Sequence, residues 1–283
     1  MTDYTVYLIG TPIVLMLICI EAIFSSKNNL HLYKKNDSWG TIGLLSGNII
    51  INILVKGSIF AFYLYLYQFR IFEINNIFPT WMVVIATLIA IDFVFYWYHR
   101  FSHRIRFLWA IHMNHHSSVE MNFLVSLRQA WFNPFARVPF FLFLPLIGFD
   151  PTITVVVGAA ATLWAVIEHT QCIGKLGILE WFFVTPSAHR VHHGTNPEYL
   201  DKNYGNFFII WDRMFGTYAE EKEPVIYGLK DNVNTFNPLK ITSFSWKSFF
   251  KDFKKSKTFR DKILSFCGSP EWTPILAPIK KHN

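Results

Sequence analysis

Three apolar stretches, each close to the length of a bilayer crossing, constrain this chain more than anything else in it: Tyr4–Phe24, Thr41–Tyr67 and Trp81–Tyr98. A helix needs about 20 apolar residues to cross a hydrocarbon core of about 30 Å. Inside lipid each backbone polar group must be paired within its own segment, so such stretches are read as helices. The first follows Met-Thr-Asp-Tyr, without a basic leader, and is read as a retained span rather than a signal peptide. A fourth region, Phe135–Phe149, is interrupted by Pro139 and Pro145. It meets Thr152–Ile167 across the turn Gly148-Phe149-Asp150-Pro151, which gives a short helical hairpin. Charged residues make up only 16% of the chain and apolar ones 52%, against about 25% charged in a soluble domain. The expected fold is therefore an all-α, polytopic membrane helical bundle.

Charge orients the bundle. The loop Ser25–Gly40 carries Lys27, Lys34 and Lys35, and the segment after Tyr98 carries Arg100, Arg104 and Arg106. Two spans separate these basic segments, so both fall on one side, which the positive-inside rule makes cytoplasmic. From Lys240 onward the tail has ten Lys or Arg against Asp252, Asp261 and Glu271. This accounts for the net charge of +7 without invoking nucleic acid. In the tail Trp246, Phe249, Phe250 and Phe253 share a helical face, with Phe244 nearby and Lys247, Lys251, Lys254 and Lys255 largely elsewhere. This pattern reads equally as a membrane-surface helix or as a packed helix with a solvated basic face. Three units follow: N-terminal transmembrane helices over 1–80, a catalytic domain over 81–220 and a basic amphipathic tail over 221–283.

Nine of the eleven histidines fall in tight groups near the ends of the apolar stretches. His99 and His103 form HxxxH. His112, His115 and His116 form HxxHH, as do His189, His192 and His193, and His169 ends the last apolar stretch. Residues three or four apart share a helix face, so His99 can act with His103, and His112 with either His115 or His116. Neutral imidazole is the commonest metal ligand, and so many unpaired ring nitrogens at a membrane boundary would otherwise be costly. Eight or nine imidazoles exceed the four that one tetrahedral zinc takes, which points to two ions. Imidazole itself suits iron, zinc, copper and nickel alike. Cys19, Cys172 and Cys267 are scattered, with no CxxC to suggest a disulfide framework or a thiolate zinc site. No catalytic side chain is expected beyond the metal centre.

The order HxxxH, HxxHH, HxxHH between apolar hairpins resembles the fatty acid hydroxylase / sterol desaturase superfamily over about Asp92–Tyr218. Finer similarity is to its alkylglycerol monooxygenase branch. It rests on Asn122-Phe123-Leu124-Val125-Ser126-Leu127-Arg128-Gln129, Asp201-Lys202-Asn203-Tyr204-Gly205-Asn206-Phe207 and Ile210–Tyr218. The resemblance implies two iron ions, with zinc able to replace them in a purified sample. It further implies dioxygen as co-substrate and hydroxylation or desaturation of a lipid such as a sterol, ether lipid or fatty acyl chain. Some members carry a further histidine pair before the third cluster. Here positions 165 and 173 are Ala and Ile, which leaves His169.

Ligating imidazoles usually give their second N–H to a carboxylate or carbonyl. Asp92, Glu120, Asn122, Glu168 and Asn196 are candidates for that supporting role, and Arg128 and Arg190 for binding a lipid phosphate. No GxGxxG or P-loop pattern marks a nucleotide site, so a separate electron donor or reductase is expected. The alternative reading is a zinc-dependent membrane hydrolase. It is disfavoured because no HExxH occurs.

Overall fold

A computed structural model describes residues 3–274, so Lys280, Lys281 and His282 at the end of the basic tail lie outside the described residues. Helices α1 (Asp3–Lys27), α2 (Lys35–Tyr67), α3 (Ile74–Ile77), α4 (Thr80–Arg104) and α5 (Arg106–His116) come first. Helices α6 (Asn133–Phe141), α7 (Phe143–Ile147) and α8 (Pro151–Glu168) form the hairpin. Helices α9 (Pro186–His192), α10 (Ile210–Met214), α11 (Pro238–Lys255) and α12 (Phe259–Cys267) follow. Among the described residues the only β pairing is two isolated bridges. The expected all-α architecture is the one observed.

Helices α1, α2, α4 and α8 are long and apolar enough to cross a membrane, as expected of an integral membrane protein. Their outer faces are apolar and unpacked: on α2, Ile53 is 76% exposed and Leu54 69%. Such surface is favourable in lipid and would be a liability in water. The buried residues of α2 are instead Asp37, Gly40, Thr41 and Leu44, all in its first turns. That end of α2 is therefore buried in protein, while its later turns are exposed or half-buried. The approach is close at Gly47, where a Cβ would fall 2.1 Å from Nε1 of Trp131. The Trp131 N–H donates to the carbonyl of Leu44 at 3.0 Å.

The hairpin forms for the reasons its sequence suggests. Gly148 takes φ +126°, and Asp150 caps α8 by accepting the N–H groups of Thr152 and Ile153, with Pro151 at the first helical position. The extended residue Ile105 (φ −106°, ψ 120°) breaks α4 from α5. The chain thus turns over the bundle end instead of continuing outward.

The loop before α2, helix α5, the C-terminus of α8, and α9 all meet at one end of the bundle. Asn122 donates to the carbonyl of Leu32, and Glu21 of α1 accepts from Tyr33, from the backbone N–H of Phe123 and from Thr170. Helix α11 closes this end. Its Trp246 and Phe249 pack with Phe107 of α5, while Phe250 is 54% exposed among exposed lysines. Arg106, counted with Arg100 and Arg104 in the basic segment after Tyr98, is buried in an ion pair with Asp252 of α11.

Arg128 and Arg190 are not available to a phosphate. Arg128 is fully buried. It donates to the Asp37 carboxylate (3.3 Å), the hydroxyls of Thr41 and Ser117 (3.0 Å each) and the carbonyl of Asn114 (3.2 Å). Arg190 forks onto Glu221 at 2.7 and 2.6 Å and caps the carbonyls of Thr170 and Ile173. Breaking a buried pair by removing one partner costs about 3–5 kcal/mol, because the other charge is left buried. Arg128→Ala should therefore lower the midpoint of thermal unfolding in detergent markedly. An unchanged midpoint would contradict the role given to the Arg128–Asp37 pair.

Candidate metal centre

The nine clustered histidines converge into two groups. One nitrogen each from His99, His103, His112, His116 and His192 lie within 4.8 Å of one another, and so do one each from His115, His169, His189 and His193. Helix α4 supplies the HxxxH pair to the first group, one turn apart on one face. The two HxxHH motifs then divide in opposite senses. On α5 the i,i+4 pair His112 and His116 faces the first group, and His115 turns to the second. On α9 the i,i+4 pair His189 and His193 faces the second group, and His192 turns back to the first. His116 and His193 stack between the groups with ring centroids 4.4 Å apart. His31, outside the clusters, is exposed on the loop before α2.

The hydrogen bonds of the rings fix their chemistry. His99 donates Nδ1–H to the carbonyl of Tyr204 (2.8 Å), His115 to Arg128 (3.3 Å), His169 to Ala165 (2.7 Å) and His192 to Lys202 (3.0 Å). A carbonyl can only accept, so in each of these rings Nδ1 carries the hydrogen and Nε2 presents a bare lone pair. Yet Nε2 of His169 lies 3.2 Å from Nε2 of His115, lone pair against lone pair. The neighbouring contacts are as close: His99 to His112 at 3.0 Å, His112 to His116 at 3.2 Å, His169 to His189 at 3.0 Å and His189 to His193 at 3.1 Å, all between Nε2 atoms. Nε2 of His103 and of His192 are buried with no hydrogen-bond partner.

A cation at the centre of each group resolves the repulsion. Metal–imidazole bonds of about 2.1 Å place adjacent ligand nitrogens about 3.0 Å apart at right angles and about 3.4 Å apart at the tetrahedral angle, a range that spans these spacings. The donor set fits two metal ions of the borderline kind that imidazole prefers.

Burial keeps these rings neutral. It pushes His112, His115, His116, His189 and His193 well below the ordinary histidine range, and His169 and His192 down to about 4. At neutral pH these rings are uncharged and their lone pairs are available.

The expected supporting residues separate by position. Glu168 is buried with one carboxylate oxygen 3.4 Å from Nδ1 of His189. Asp92 touches no ring. It accepts the backbone N–H of Phe207 (2.7 Å) and Phe208 (2.9 Å) and the indole N–H of Trp211 (2.9 Å). It thus holds the strap whose Tyr204 carbonyl receives His99. Glu120 pairs with Lys34. Asn122 ties Leu32 to Val125, and Asn196 ties Pro224 to Ile226.

Sequence reasoning missed Asp212, Glu21 and Asp37. Asp212 accepts from the backbone N–H groups of Tyr204 (2.7 Å) and Gly205 (2.8 Å) and fixes the same strap as Asp92. For Glu21 a signal existed: it is a carboxylate in an apolar span, where an ionisable group calls for a partner.

Comparison with known proteins agrees with this geometry. Residues 84–217 match the Fatty acid hydroxylase family. The chain is 36% identical over 225 residues to an alkylglycerol monooxygenase of Xenopus tropicalis, covering 79% of this chain and 50% of that protein. It is 36% identical over 218 residues to the human alkylglycerol monooxygenase, covering 75% and 47%. It is 26% identical over 147 residues to the ornithine lipid hydroxylase OlsE of Rhizobium tropici, covering 52% and 44%. The chain thus spans about half the length of the curated relatives it matches. No solved structure matches it. All nine clustered histidines fall inside the matched region, and residues 84–217 of the chain form a domain of the fatty acid hydroxylase family.

Proposed function

We propose that this chain is a membrane-bound, dioxygen-dependent lipid monooxygenase whose two histidine groups each hold one iron. The observation that carries the reading is the pair of opposed Nε2 lone pairs on His115 and His169, 3.2 Å apart, in rings whose Nδ1–H groups are committed to backbone carbonyls. His99, His103, His112, His116 and His192 would ligate the first ion, and His115, His169, His189 and His193 the second. The irons would supply dioxygen reduction and oxidation of an unactivated C–H bond.

The protein's part is to hold and shield. Carbonyls of Tyr204, Arg128, Ala165 and Lys202 orient four of the rings, and Glu168 would orient His189. Eight of the nine histidines are buried and His103 is half-buried, which limits the access of bulk water to the centre. The catalytic unit is residues 81–220, with 1–80 as membrane anchor and 221–283 as a basic tail. The basic loop before α2 and the arginines after Tyr98 support a cytoplasmic position for the centre and the tail.

The substrate class is a membrane lipid, because the histidines lie at the ends of bilayer-spanning helices and the named relatives act on lipids. An alkylglycerol is the first to test, from the names of the alkylglycerol monooxygenases that the chain resembles. Hydroxylation places one atom of dioxygen in the lipid and the other in water. It takes two electrons, which a separate donor would deliver.

Iron-loaded protein, an alkylglycerol, isotopically labelled dioxygen and a chemical reductant should give a lipid product carrying one labelled oxygen. Absence of label from every lipid tested, or product formed by zinc-loaded protein without dioxygen, would contradict the oxygenase and favour a hydrolase.

His112→Ala and His115→Ala remove a ligand from different groups. Each should weaken one ion's binding by more than the roughly 10–100-fold that altering a ligand's supporting partner causes, and should abolish turnover. His31→Ala should leave metal content and turnover unchanged. Full iron content in either cluster variant would refute that histidine as a ligand.

A further inference from the structure

A cavity of ≈ 540 Å³ lies on the side of α5 that packs against α6 and α11, and the metal centre does not use it. Its walls are apolar on all three sides: Phe107 and Ile111 from α5, Phe135 and Pro139 from α6, and Trp246 and Phe250 from α11. The two sides differ in kind. Helix α6 belongs to the apolar hairpin beside the spans, and α11 is amphipathic.

Pairing of α11 and α12 to α5 runs beside the cavity, through the Arg106–Asp252 ion pair to α11 and the stacked rings of Phe107 and Phe266 of α12, 4.5 Å apart. The aromatic residues at its edge remain open: Phe135 is 49% exposed and Phe250 54%. Lys247 and Lys254 stand three residues before and four residues after Phe250, on the same stripe of α11. Both are exposed, and neither forms an ion pair among the described residues.

An apolar cavity of this size is unfavourable when empty and offers water no partners. Its rim is cationic and its side walls continue the lipid-facing hairpin. We infer that this cavity is a binding site for one alkyl chain of an anionic bilayer phospholipid, whose phosphate is held by Lys247 and Lys254. A phosphate is favoured over a neutral head group because basic residues at a membrane surface attract anionic lipid. The chain fills the space that protein side chains leave between α5, α6 and α11. The bound lipid thereby joins the amphipathic cap to the bundle, next to the helix that carries three of the clustered histidines. This site is independent of the reaction proposed above, so each can fail without the other.

The test uses the full chain, extracted from nanodiscs made of equal phosphatidylcholine and phosphatidylglycerol, with retained lipid read by native mass spectrometry. The expected result is one retained phosphatidylglycerol per chain in preference to phosphatidylcholine. Phe250→Glu and, from the opposite wall, Phe135→Glu should each lower retention by about tenfold, since an acidic group replaces apolar contact at the mouth. The double variant Lys247→Glu/Lys254→Glu should lose the preference for phosphatidylglycerol. Metal content measured on the same samples reports that the fold is intact. No retained lipid on the wild type, equal retention by both glutamate variants, or a preference that survives the lysine reversal would overturn the proposal.

Discussion

The structure turns on imidazole nitrogens that have been given no other partner. Four rings spend their Nδ1–H on backbone carbonyls, and their Nε2 lone pairs point into two small volumes that other rings enter as well. Without a cation, such crowding is costly twice over: polar atoms are buried unpaired and lone pairs face one another. With a cation in each group, the same crowding is a ligand set. Protonation is a poor substitute, because burial already disfavours the charged ring. The architecture of this end of the bundle therefore makes physical sense as a histidine cluster that could hold metal.

Much of the remaining polar structure serves to keep those carbonyls in place. Asp92 and Asp212 grip the strap that carries Tyr204 from two sides. Arg128 is anchored through its side chain to Asp37, Thr41, Ser117 and Asn114, while its carbonyl receives His115. Glu21 reaches from α1 to Thr170, the residue after His169, and to the turn that begins at Phe123. The first two spans, which lie outside the family match, are thus joined to the centre by buried hydrogen bonds rather than by lipid-facing contact alone.

The bundle was legible because its signals are long and local. Apolar stretches of bilayer length mark the spans, paired prolines and a Gly-Phe-Asp-Pro turn mark the hairpin, and histidines at helical spacing mark the centre. The division of the histidines was not legible. Spacing allows His112 to act with His115 or His116, and only packing of α4, α5 and α9 at one point sends His115 to the second group. Likewise the targets of Asp92, Arg128 and Arg190 lie 115, 91 and 31 residues away in sequence. A charged residue announces that it needs a partner, but not which one. Arg128 and Arg190 accordingly look like candidate phosphate sites in sequence, while the carboxylates that pair with them, Asp37 and Glu221, lie within the protein.

The account rests on two ions held by imidazole alone. X-ray absorption at the iron edge, on protein reconstituted anaerobically and assayed for iron per chain, tests it most directly. The prediction is two irons per chain in a nitrogen and oxygen shell with the outer-shell scattering of imidazole. A single ion per chain, or sulfur or porphyrin scattering, would contradict it.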